Sequence, residues 1–75
     1  MQSKLYALRK SRNLSQEDVA KILGISRVSY GNKERGDNAF TIDEMFELAS
    51  VFNLSIAEIF LPRGNQNGYK EKQTI

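Results

Sequence analysis

The chain has 75 residues, 27% of them charged, with a formal net charge of +2, no cysteine and no histidine. That length gives one domain with a thin core, since a chain of this size buries only about 60% of the surface it exposes when unfolded. Disulfides and thiolate zinc sites are excluded and the commonest general base is missing. No apolar run reaches the roughly 20 residues of a membrane span, and MQSKLYALRK leads into no signal-peptide core. The expectation is a soluble, cytoplasmic protein with no cofactor and no membrane partner.

Charge segregates along the chain. Between residues 1 and 36 there are eight basic and three acidic side chains, a net of plus five; between 37 and 61 there are five acids and no Lys or Arg. A positive half suits a polyanion such as nucleic acid, and an acidic half on so small a domain should point away from it.

Apolar residues recur at three- and four-residue intervals, which predicts helices throughout and no convincing strand, an all-α class. The first helix, near 2–12, turns Leu5 and Leu8 inward. Ser15 can accept a bond from a free N–H at the start of a second helix, 16–23, with Leu14 and Val19 as a flanking apolar staple. Ser26 does the same for a third, 27–35, with Ile25 and Tyr30. Thr41 and Glu44 form a capping box for a fourth helix, 42–52, whose expected apolar set is Ile42, Met45, Phe46, Ala49 and Phe52. Ser55 and Glu58 repeat the box for a fifth, 56–61.

Helices two and three are joined by LGIS, with Gly24 where the chain needs a left-handed turn and small Ala20 one turn earlier, a helix-turn-helix pattern. After Pro62 the polar, glycine-punctuated RGNQNGYKEKQTI predicts a flexible tail, so the expected organisation is a domain over 1–61 and a tail over 62–75. Asp43, Glu44 and Glu47 are not read as a catalytic cluster. The first two occupy a helix's first turn, where acids stabilise the free N–H groups. With no glycine-rich phosphate loop and no metal-ligand spacing either, an enzyme is not expected.

LRKSRNLSQEDVAKILGISRVSYGNKERG followed by TIDEMFELASVFNLSIAEIF resembles the Cro and phage-repressor helix-turn-helix family, also called xenobiotic-response-element-like, over about residues 3–61. The resemblance implies a compact five-helix, lambda-repressor-like domain that binds operator DNA as a dimer with the third helix in the major groove. On that helix Arg27, Val28, Gly31 and Asn32 become candidates for base readout, with Arg27 suited to a bidentate pair with guanine and Val28 to a thymine methyl. Gln16, Ser26, Ser29, Arg35, Asn38 and Lys10 become candidates for phosphate contacts, as, more weakly, do Arg9 and Arg12. Arg9 has a competing assignment, because the family commonly pairs this arginine with the glutamate that matches Glu34. Two positions depart from the family pattern. Lys33 stands where an apolar residue is usual, and its stem is expected along the core edge with the ammonium in water. Gly31 lies inside the recognition helix, which implies either a close backbone approach or a lost readout side chain.

The expected function is sequence-specific transcriptional regulation by occupying an operator, in a bacterial cell or phage-infected host, near the nucleoid. A homodimer is expected through the C-terminal helix region, at Ile59, Phe60 and Leu61. The alternative is a protein-binding antirepressor or modulator that contacts a partner repressor, with an autoregulating antitoxin as a lesser variant.

Overall fold

The computed structural model describes residues 1–60, which form five helices: α1 Ser3–Ser11, α2 Gln16–Leu23, α3 Arg27–Arg35, α4 Ile42–Phe52 and α5 Ile56–Phe60. No strand occurs among the described residues. Leu61 and the expected tail over 62–75 lie outside them.

Most helix starts are fixed by contacts within four residues. Ser15 Oγ accepts from the Asp18 N–H at 3.0 Å while the Asp18 carboxylate accepts from the Ser15 N–H at 2.9 Å. The boxes at Thr41 with Glu44 and at Ser55 with Glu58 close in the same reciprocal way. The first of these boxes uses an aspartate, shorter than the Glu or Gln usual at that position, and only its serine half was expected. At α3 the Ser26 hydroxyl oxygen accepts from the Ser29 N–H at 3.0 Å, whereas α1 begins without a side-chain cap. A cap of this kind contributes about 1 kcal/mol. Gly24, at φ 72°, ends α2 in the left-handed conformation and lets the chain turn directly into α3.

Leu5, Val19, Ala20, Tyr30, Phe40, Leu48, Phe52 and Ile59 form the buried core. The most extensive helix contact is between α2 and α3, while α4 packs on α5 and α2, and α5 also meets α1. The inward face of α4 differs from the expected one. Leu48 is fully buried, and Ile42 and Phe46 stay exposed at 56% and 61%. Apolar residues occupy more of the circumference of α4 than α2 and α5 can cover, so centring the stripe on Met45, Leu48 and Phe52 leaves the other two on its flank.

Phe40 stacks edge-on against Tyr30 (6.0 Å between ring centroids) and Phe60 (5.4 Å), so the end of α5 is joined to α3 through the loop that precedes α4. This uses Ile59 and Phe60 inside the domain, where Ile59 is buried and Phe60 half-buried. Arg12 Nη2 donates to the Phe52 carbonyl at 3.2 Å and its guanidinium lies over the Phe52 ring, so this arginine ties α1 to the end of α4.

Lys33 corrects an expectation. Its ammonium is not in water but 2.6 and 2.8 Å from the two Glu44 carboxylate oxygens, with the side chains only 13% and 12% exposed. The N-cap geometry of α4 brings the Glu44 carboxylate within reach, and the same group caps α4 and holds α3.

Candidate nucleic-acid interface

The recognition helix is anchored from behind by one buried carboxylate. Glu34 Oε2 accepts from Arg9 Nε at 2.9 Å and from the Tyr30 hydroxyl at 2.8 Å, and Oε1 accepts from Arg9 Nη2 at 3.1 Å and Gln16 Nε2 at 3.0 Å. Arg9 also donates to the Leu14 carbonyl at 2.8 Å, which fixes the α1–α2 turn to the same point. Burial pushes the Glu34 carboxyl up, but the hydrogen bonds from Arg9, Gln16 and Tyr30 outweigh it and hold the group below the usual carboxylate value. Donation to Glu34 raises the Arg9 guanidinium above its ordinary value. The Tyr30 phenol is raised by burial first and by its bond to Glu34 second. A satisfied ion pair of this kind joins α1, α2 and α3 into one rigid unit.

Opposite Tyr30 and Glu34, helical spacing puts Val28, Asn32 and Arg35 on one outer stripe, with Arg27 at its edge in the first turn. Arg27, Val28 and Arg35 are exposed and Asn32 is half-buried. Arg35 donates through Nη2 to Asn32 Oδ1 and through Nε to Asp37 at 3.2 Å. The Arg35–Asp37 pair is 58% and 64% exposed, so it costs little to exchange for a phosphate. Asn32 Oδ1 is engaged by Arg35, while its amide N–H groups donate to no partner among the described residues. Asn38 is exposed at the turn after α3, where its backbone N–H donates to the Asn32 carbonyl at 3.3 Å. Ser26 is exposed and Ser29 half-buried at the start of the helix.

Gly31 is not on the outer stripe. It is buried, and a Cβ built there would stand 3.4 Å from Gln16 Oε1 and 3.7 Å from Arg35 Nη1. Side chains from two other positions cover it at ordinary contact distance, so a side chain larger than a methyl would meet them. Gln16, expected on a phosphate, is bonded to Glu34 and laid across α3. Lys10 and Arg27 are both exposed and line, with Arg9, Asn13, Ser15 and Gln16, a cleft of about 520 Å³ between the α1–α2 turn and the start of α3. Spacing gave no signal for the bonds of Gln16 to Glu34 and of Glu44 to Lys33, because in each the partner is many residues away.

A five-helix domain whose α2 and α3 meet at a tight glycine turn, and whose third helix shows a cationic, donor-rich face, is a DNA-binding helix-turn-helix domain. Residues 5–59 match the helix-turn-helix family model, and the chain belongs to that family. It is a DNA-binding transcription regulator. It is 38% identical over 61 residues to an uncharacterized helix-turn-helix transcriptional regulator of Methanocaldococcus jannaschii, covering 81% of this chain and 92% of that one. It is 34% identical over 59 residues to the control protein C.SmaI of Serratia marcescens, covering 79% and 70% respectively. A 37% identical match from Thermococcus kodakarensis covers 72% of this chain and only 17% of that longer protein. Among solved structures, the restriction-modification controller protein C.AhdI of Aeromonas hydrophila is similar with a TM-score of 0.67 at 32% identity, over 76% of this chain and 86% of that one.

Proposed function

We propose that the protein occupies a specific operator by placing α3 in the major groove, and thereby controls transcription from it. The observation that carries this reading is the outer face of α3, which presents Arg27, Val28, Asn32 and Arg35 on a helix held in place by the Glu34 network. Arg27 pairs with guanine O6 and N7, Val28 meets a thymine methyl, and Asn32 donates through its amide. Lys10, Ser26, Ser29, Arg35 and Asn38 flank this face and fit the phosphate backbone, which sets register without reading sequence. The acidic residues Asp43, Glu47 and Glu58 belong to α4 and α5 and not to α3.

Two copies would read two successive major grooves about 34–36 Å apart. The surface that fits this role is the flank of α4 at Ile42 and Phe46, because Ile59 and Phe60 are already packed within one copy. The likeness to two control proteins supports transcriptional control over an antirepressor role.

The test is a titration of the purified protein against the DNA flanking its own gene and against a scrambled duplex, at two salt concentrations. The expected preference for its own flank is at least about a thousandfold, with affinity for both falling steeply as salt rises. Equal, weak binding to both duplexes would refute operator recognition.

A further inference from the structure

We infer that Gln16, a residue of α2, is an adenine-reading side chain whose carboxamide lies over Gly31 of the recognition helix. The inference rests on the proposed reading of DNA by α3.

Three observations carry it. Gly31 contributes no side chain, and the Gln16 carboxamide lies over it, with Oε1 3.4 Å and Nε2 3.8 Å from where a Cβ would stand, at ordinary contact distance. The carboxamide's orientation is fixed, because the Glu34 carboxylate can only accept and so requires Nε2 on its side, at 3.0 Å. One N–H is spent there. The other N–H and Oε1, which accepts no hydrogen bond among the described residues, remain as a donor–acceptor edge. That edge matches adenine in the major groove, where N7 accepts and the N6 amino group donates. Gln16 also lines the same cleft as Arg27, so the two side chains can face neighbouring base pairs.

A phosphate would use Gln16 differently, since it accepts hydrogen bonds and has nothing to offer Oε1. The bond to Glu34 also makes Gln16 preorganised, with its rotamer set before DNA arrives. Glycine at 31 therefore widens what the helix reads by admitting a side chain from its neighbour.

The experiment uses the full chain and atom-specific DNA. A preferred site is first selected from a randomised duplex, and each adenine in it is then replaced singly by 7-deaza-adenine, which lacks the N7 acceptor. One adenine per half-site is expected at which this replacement weakens wild-type binding by at least about fivefold. Gln16→Met keeps the length of the side chain and removes the amide, and it should no longer respond to the replacement at that adenine while responding as wild type elsewhere. Gly31→Val, which fills the space of the carboxamide, should lose the response at the same adenine. If Gln16→Met weakens binding equally on every duplex, or leaves the pattern of responses unchanged, the inference is overturned and α3 remains the reader alone. If the wild-type protein selects no site, the DNA-reading assignment itself falls, an outcome visible before any variant is made.

Discussion

Replacing Glu34 by alanine removes the acceptor of four hydrogen bonds at once and leaves the Arg9 guanidinium without its carboxylate, at positions only 7% and 2% exposed for the two side chains. Breaking a buried pair by deleting one partner costs roughly 3–5 kcal/mol, since the remaining charge stays desolvated. A folded unit of about 60 residues holds in total only some 3–9 kcal/mol of stability. At about 4–8 °C per kcal/mol for a domain of this size, Glu34→Ala should lower the melting temperature by at least about 12 °C. The Leu14 carbonyl still accepts one Arg9 bond at 2.8 Å, which places the loss toward the lower end of that range. Removing both charges is a different perturbation. In Arg9→Met with Glu34→Leu nothing charged is left buried, and apolar groups of similar volume offset much of the loss, the buried Tyr30 hydroxyl still lacking its acceptor. The double variant should therefore melt well above the single one. Thermal unfolding followed by far-UV circular dichroism reads both. A fall of less than about 4 °C for Glu34→Ala, or a double variant no more stable than the single, would refute the assignment of Glu34 as the anchor of α3.

The other expectations concern acid, the α3–α4 latch, the turn and the α4 flank. Because the folded Glu34 carboxyl titrates below its ordinary value of 4.5, its stabilisation is complete above that pH and is lost as pH falls through the lower folded value. The melting temperature should stay level down to about pH 5 and then fall, and Glu34→Gln should show a shallower fall. Glu44→Ala removes half of a capping box and the partner of Lys33 together, and should cost about 1–2 kcal/mol in chemical denaturation; Lys33→Met, which leaves the box intact, should cost less than about 1. A methyl at Gly24 would meet nothing within 4 Å, so the loss expected for Gly24→Ala, about 1–2 kcal/mol, is backbone strain at φ 72° alone, and Gly24→Asn should recover part of it. Phe46→Ser should leave the melting temperature of the isolated chain unchanged but shift sedimentation toward a monomer and weaken binding to a two-half-site duplex.

What the sequence made legible follows the range of the interactions. Helices α2 to α5 could be placed because Ser15, Ser26, Thr41, Ser55 and Gly24 act within four residues, a distance at which sequence and structure coincide, while α1, which has no side-chain cap, was placed by the spacing of Leu5 and Leu8. The apolar stripe of α4 was misplaced because Ile42, Phe46 and Leu48 are equally apolar, and only the positions of α2 and α5 decide which of them is covered. Lys33 looked like a compromise on the core edge because its partner Glu44 is eleven residues on, across a turn. Arg9 and Glu34 are 25 residues apart, and no local pattern links them; their pairing was suggested by resemblance alone, and the structure sets them 2.9 Å apart. Gly31 was ambiguous for the same reason, since the group that covers it, the Gln16 carboxamide, belongs to another helix.

The claim that α3 reads sequence is tested most directly by measuring the affinities of wild type and Arg27→Ala for the preferred duplex and for every single base-pair change in it. Arg27 should account for discrimination at one G·C pair per half-site, so the variant should lose roughly 5- to 150-fold selectivity there and keep it elsewhere. A variant that binds every duplex more weakly by the same factor, or one that binds all of them as wild type does, would contradict the placement of α3 in the major groove.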